Sequence, residues 1–116
     1  MDEKKYDLTC DMVFSVYDSD AQEFGPLFQC TNEVIAVKKF VELLKGFMYN
    51  EVKEYGIVDH GNYDRYRLYS VGVFDRLEGV FLPEKREIEV YPAVDMMIEK
   101  MNTVFKSVEI VKGGVK

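Results

Sequence analysis

The segment Tyr63–Gly79, YDRYRLYSVGVFDRLEG, narrows what this chain can fold into more than any other. Tyr66–Asp75 is rich in aromatic and β-branched side chains, which fit a pleated, half-buried surface. Arg67, Tyr69, Val71 and Val73 alternate with Tyr66, Leu68, Ser70, Gly72 and Phe74. Apolar groups therefore occur on both sides, which predicts an inner strand covered on one side by a helix. Arg76–Gly79 reads as a tight turn, because Gly79 takes positive φ without a Cβ penalty. Val80–Leu82 then pairs back until Pro83, and Glu84–Glu87 reads as a charged loop before a short strand at Ile88–Tyr91.

A second hairpin is expected upstream. In Met12–Asp18, Met12, Phe14 and Val16 share one side and Val13, Ser15 and Tyr17 the other. A polar turn over 19–23 leads to a return strand, Phe24–Cys30. Pro26 has no N–H to donate, so that strand is expected at a sheet edge or with a bulge.

Two helices complete the pattern. Thr31 is a candidate N-cap, with Glu33 in the first turn. Val34, Val37, Val41, Leu44 and Met48 form an apolar stripe flanked by Ile35 and Phe40. This helix is expected to reach about Gly46, with Met48–Tyr55 continuing after a bend, and residues 56–62 forming a loop. From Pro92 onward, Val94, Met97, Ile98, Met101, Phe105 and Val108 recur at helical spacing. The expected fold is α+β: an antiparallel sheet of two β-hairpins packed with one central helix and a C-terminal helix. A chain of 116 residues fits one domain, drawn at 11–110 with flexible termini at 1–10 and 111–116.

Charge and composition limit function. The formal net charge of −6 argues against strong non-specific binding of duplex nucleic acid, which needs many Lys and Arg contacts to phosphate. A local cationic patch remains compatible with that total. MDEKKYDLTC has no apolar core of the secretory kind, and no apolar run is long enough to span a membrane. The expectation is a cytoplasmic protein with reduced thiols. Two Cys and one His are too few for a typical structural zinc site. Asp18 with Asp20, or Asp59 with His60 and Asp64, lacks metal-ligand spacing and fits turn capping better. Cys30 stands before a helix start but has no evident base, so it reads as a small buried hydrophobe. No glycine motif for a nucleotide cofactor occurs. No enzyme and no cofactor is expected.

Phe14-Ser15-Val16-Tyr17-Asp18-Ser19, then Ala21, Phe24, Pro26, Phe28, Ala36 and Phe40, precede Tyr66-x-Leu68-Tyr69-x-Val71-Gly72-x-Phe74-Asp75 and Gly79. In this order the residues resemble the small nonstructural accessory protein of gokushovirus-type microviruses, which are single-stranded DNA phages. The likeness covers roughly residues 12–82. It implies a phage protein made in the bacterial host cytoplasm, absent from the mature capsid, with a role in single-stranded DNA synthesis or packaging. Residues 47–62 are longer and more apolar than the family pattern, and Pro83–Lys116 exceeds its usual end.

The candidate nucleic-acid face comprises Tyr63, Arg65, Tyr66, Arg67 and Tyr69, extended by Tyr17, with Arg76, Lys85 and Arg86 tracking the backbone. Tyrosines that stack on bases and arginines that meet phosphates are how sequence-tolerant single-strand binders work. The alternative is cross-strand aromatic packing with surface arginines. Two partners are therefore in view. One is single-stranded DNA. The other is a host or phage protein, with the chain acting as an acidic module that inhibits a host nucleic-acid-handling or defence complex. Met96, Met97 and Met101 suit either core packing or a homodimer contact.

Overall fold

The computed structural model describes residues 10–115, with side chains described through residue 104. The strands are β1 (Cys10–Asp18), β2 (Glu23–Phe24), β3 (Phe28–Cys30), β4 (Tyr66–Asp75) and β5 (Val80–Ile88). The helices are α1 (Glu33–Tyr55) and α2 (Tyr91–Val115). All strand pairs are antiparallel, in the order β2-β1-β4-β5, with β3 pairing β1 beside β2. This is the expected α+β architecture of two hairpins and two helices. The expected frayed segment 1–10 falls outside the described residues except for Cys10, as does Lys116 of the tail, while residues 111–115 continue α2.

The return strand of the first hairpin is broken at Gly25-Pro26-Leu27, where Pro26 was expected to force an edge or a bulge. The Gly25 amide donates to the Val16 carbonyl, and Ser15, fully buried, donates its hydroxyl to the Gly25 carbonyl. The bend therefore stays fixed to β1 despite the missing ladder bonds.

Helix α1 starts one residue later than the Thr31 cap implies. The Asn32 side chain accepts from the Ile35 amide, which satisfies one of the unpaired first-turn donors. The helix does not bend at Gly46. It runs unbroken to Tyr55 and stops at Gly56, whose φ of 81° is the left-handed conformation that glycine adopts readily. Ala36, Phe40, Val41, Leu44, Met48 and Val52 are buried, whereas Val34 is 66% exposed. Val41, Leu44 and Met48 of the expected stripe are thus buried, as is the flanking Phe40, while in the first turn Ala36 is buried in place of Val34.

Strand β5 departs most from expectation. The sequence predicts a charged loop over 84–87, but the strand continues through Pro83 to Ile88. An edge strand needs no outward ladder bonds, so a proline is tolerated there. The run Pro83-Glu84-Lys85-Arg86-Glu87 also guards this edge against pairing with another chain.

A further departure lies in β4. Its register shifts against β1 between Val13 and Phe14, and against β5 between Ser70 and Gly72. Against β1 the extra residue is Val71, whereas against β5 it lies on β5, where Glu84 and Lys85 together oppose Val71; an inserted residue moves everything after it to the opposite face. One face carries Met12, Phe14, Val16, Tyr66 and Leu68 against the helices, with Phe14 and Leu68 fully buried. Beyond the bulge Val73 joins this face, opposite Met12, while Gly72 and Phe74 turn to the other. Among the described residues the second face has no helix over it.

Two side-chain systems lock the segment between α1 and β4. The Glu51 carboxylate accepts from the Asp59 amide, the Asn62 amide group and the Tyr63 hydroxyl, the last at 2.7 Å. Asn102 of α2 accepts from the Val58 amide and donates to the Val58 carbonyl.

Candidate functional site

The nine residues expected to form a nucleic-acid face do not lie together. Tyr63 is 4% exposed and sits in the core, with its hydroxyl on Glu51. Burial, reinforced by that carboxylate, pushes its hydroxyl pKa above the ordinary 10.0. No base has access to this ring. Tyr66 is on the helix-covered face, stacked nearly parallel on Phe47 of α1 at 6.3 Å.

The arginines are paired with carboxylates. Arg65 makes two bonds to Asp18, at 2.8 and 3.0 Å, and lies 3.5 Å from Asp20. The Arg65 contact, partly offset by burial, lowers the Asp18 pKa and correspondingly raises that of Arg65. Asp18 also accepts from the Asp20 and Ala21 amides, so its role is to cap the β1–β2 turn. Arg67 meets Glu87 at 3.5 Å, Arg76 meets Asp11 at 3.6 Å, and Arg86 pairs with Glu33 at the start of α1. The four arginines that were to contact phosphate are therefore neutralised locally.

Tyr17, Tyr69 and Lys85 do come together, on the uncovered face. Tyr17 is aligned with Phe24 of β2, their ring centroids 4.7 Å apart. The Tyr69 ring meets both edge-on, at 6.0 Å from Tyr17 and 5.2 Å from Phe24. The Lys85 ammonium lies over Phe24 at 5.4 Å and over Tyr69 at 5.8 Å, within the range of cation–π attraction. Lys85 makes no ion pair among the described residues. Partial burial, with Glu87 close to its hydroxyl, raises the Tyr69 pKa.

The ring cluster continues into an apolar stretch that the sequence reading missed. Phe81 crosses from β5 to Gly72, where an added Cβ would lie 2.4 Å from the ring. Val13, Leu27, Phe74 and Phe81 line a shallow cleft of about 440 Å³ on this side. Leu27, Phe81 and Phe24 are 64%, 42% and 40% exposed. The available signal was Gly72 within an otherwise bulky strand, since glycine there often marks a bulge or a close approach.

The other candidates have structural roles. Asp59 caps the short 3₁₀ turn His60–Asn62, and His60 meets Asp95 of α2 at 3.0 Å. Among the described residues, no group of three His, Cys, Asp or Glu is arranged to hold a metal ion. Cys30 is buried in the core. Among the described residues no helix is long and apolar enough to cross a membrane.

A family model described as phage ORF5 protein matches residues 11–96. The chain belongs to the phage ORF5 protein family. The match spans both hairpins, all of α1 and the first turn of α2, so the uncovered face lies inside it. No curated protein and no solved structure matches the chain.

Proposed function

We infer that this phage protein is a non-enzymatic binding module whose uncovered sheet face docks another protein in the host cytoplasm. The observation that carries the reading is the combination on that face: clustered rings and exposed apolar side chains beside arginines already engaged by carboxylates. A sheet whose second face is aromatic and apolar has surface to bury, and such patches mark interaction sites. Single-stranded DNA binding requires an excess of available cations along the strand path. Here Arg67 is shared with Glu87, which leaves Lys85, among the described residues, as the one cation held over the rings of this face. The motif order over residues 12–82 supports the narrower assignment to gokushovirus-type microviruses.

A second reading is favoured by Lys85 itself. A lysine poised over two rings is a minimal arrangement for one stacked base and its phosphate, so weak single-stranded DNA binding is the alternative. One experiment separates the two. Tagged protein, wild type and Phe24→Ser/Phe81→Ser, is used to capture partners from infected-host lysate with and without nuclease. In parallel, a labelled oligonucleotide is titrated at low and high salt. The protein-docking reading expects a stoichiometric protein that survives nuclease and is lost with the double variant. Salt-dependent oligonucleotide binding that disappears in Lys85→Ala, with no nuclease-resistant protein, overturns it in favour of DNA.

A further inference from the structure

The uncovered face of the sheet holds most of its charge in closed pairs. Arg67 is met by Glu87 at 3.5 Å and Arg76 by Asp11 at 3.6 Å. These pairs lie at the two ends of the face, since Arg67 is opposite Tyr17 and Asp11 is opposite Phe74. Between them run the rings of Tyr17, Phe24 and Tyr69 and the cleft beside Phe81. Lys85 is exposed on the edge strand β5, so its ammonium reaches water while its stem covers the rings. Arg67, Arg76 and Lys85 against Asp11 and Glu87 give the face a charge of +1. The whole chain carries −6, so taking away +1 leaves −7 on the rest of it. Two copies therefore repel across their other surfaces and least across this one.

The same charges limit what can cover the face. A strongly acidic or strongly basic surface would find its counter-charges here already engaged. A match requires a nearly neutral, apolar and uneven surface, and the face itself is one. It has the ring cluster at one end and the cleft of about 440 Å³ at the other. Tyr17 of the cluster and Val13 of the cleft lie about 13 Å apart along β1. A two-fold contact needs a feature and its complement on one surface. A two-fold axis running between two such sheets, across the strands near Ser15, sets the rings of each copy against the cleft of the other. Ser15 is fully buried with its hydroxyl turned to the Gly25 carbonyl, so no unmet polar group interrupts the middle. Size is adequate as well. Four strands abreast at about 4.8 Å, over Arg67–Phe74 at about 3.3 Å per residue, make a plate of roughly 500 Å² before the relief of the side chains is counted. A standard interface takes about 800 Å² of accessible surface from each partner, which a plate of this footprint with standing rings approaches.

We propose that the uncovered face is closed by the same face of a second copy of this chain, giving a two-fold dimer of antiparallel sheets packed face to face. The inference rests on the docking reading above and names its partner. Sheets packed in this way interdigitate their side chains about 10 Å apart, which removes the rings of both copies from water at once.

The test weighs the full chain by sedimentation equilibrium from about 1 μM to about 1 mM. The expected species has twice the 13.5 kDa of one chain, with a Kd at or below about 100 μM. Rising salt should tighten it or leave it unchanged, because salt screens the repulsion between two anionic chains. Phe24→Ser/Phe81→Ser should weaken it about ten-fold or more. Leu27→Asp should do the same while leaving the Phe81 ring on Gly72 in place. Leu43→Ser, on the exposed side of α1, should have no effect. All the replaced side chains are exposed, so circular dichroism should show each variant folded. A chain that stays monomeric at about 1 mM overturns the proposal. So does a dimer indifferent to both sheet-face variants, or one that weakens with salt. A monomer that still captures a nuclease-resistant protein from infected-host lysate, lost with Phe24→Ser/Phe81→Ser, leaves the docking reading standing and removes only the second copy. A monomer that captures nothing removes both.

Discussion

The two faces of one sheet behave as two different surfaces, although alternate residues of the same strands build them. On the helix-covered face, Phe14 and Leu68 are fully buried and every neighbour is fixed by packing. On the uncovered face, Tyr17, Phe24 and Tyr69 touch one another, Phe81 lies further along against Gly72, and all four remain partly wet. The first face is explained by stability alone. The second is more apolar than a solvent-facing antiparallel sheet needs to be, where polar-out alternation is the rule. The difference is the ground for proposing the docking surface on the side that folding does not require.

The largest expected effect tests the covered face. Phe14→Ala removes a buried ring 5.9 Å from Phe28 and leaves a cavity between sheet and α1. The expected loss is about 3–5 kcal/mol, read from urea unfolding midpoints. A loss below about 1 kcal/mol would mean that this face is not the tight core described.

Gly72→Ala probes the seam between the faces. The new methyl would meet the Phe81 ring at 2.4 Å and the Leu82 carbonyl at 2.5 Å. A ring can swing away, but a backbone carbonyl in a paired strand cannot move without cost. A destabilisation of about 1–3 kcal/mol is expected, together with altered near-ultraviolet dichroism from the displaced ring. A neutral substitution would show that β5 slides easily and that the cleft beside Phe81 is not a fixed shape.

How much of this was legible in the sequence depends on how far apart the interacting groups lie. The stripe of α1 was visible because helical periodicity is local, and it failed only at the first turn, where Ala36 is buried and Val34, on the other side of the helix, is not. The hairpin at Gly79 was equally local. The Val71 bulge was not visible, since a single extra residue leaves the composition of the strand unchanged. Pro83 looked like a terminator, and only its edge position makes it harmless. The arginine pairings were beyond reach: Arg65 meets a carboxylate 47 residues away and Arg86 one 53 residues away. Seen in sequence these arginines resemble a cationic face, and the fold supplies the anions that cancel it. Tyr63 failed as a site residue for the same reason, because Glu51 reaches it from another element.

Tyr63 gives the third test, of the loop beneath the helices. Tyr63→Phe leaves Glu51 short of one donor and should cost about 1–2 kcal/mol. The pH dependence has a definite sign. The folded hydroxyl holds its proton above the ordinary pKa of 10.0, so the unfolded state releases a proton first as pH rises. The contribution of Tyr63 is full below about pH 10 and declines above it. Wild type should therefore lose more stability than Tyr63→Phe between about pH 9 and pH 11. Parallel slopes for the two proteins would sink the proposed burial of that hydroxyl.

The smallest effect is the most informative about the uncovered face. Lys85→Ala removes an ammonium from over two rings and no ion pair, so its stability cost should be about 0.5 kcal/mol. If Lys85 is there only to shield Phe24 and Tyr69 from water, its removal exposes more ring, and capture of a protein partner should strengthen or stay the same. If it provides the charge for a phosphate, oligonucleotide binding should vanish while the fold is untouched. The two faces then separate cleanly: a substitution with almost no effect on unfolding changes binding, as no substitution on the covered face can do without first loosening the core.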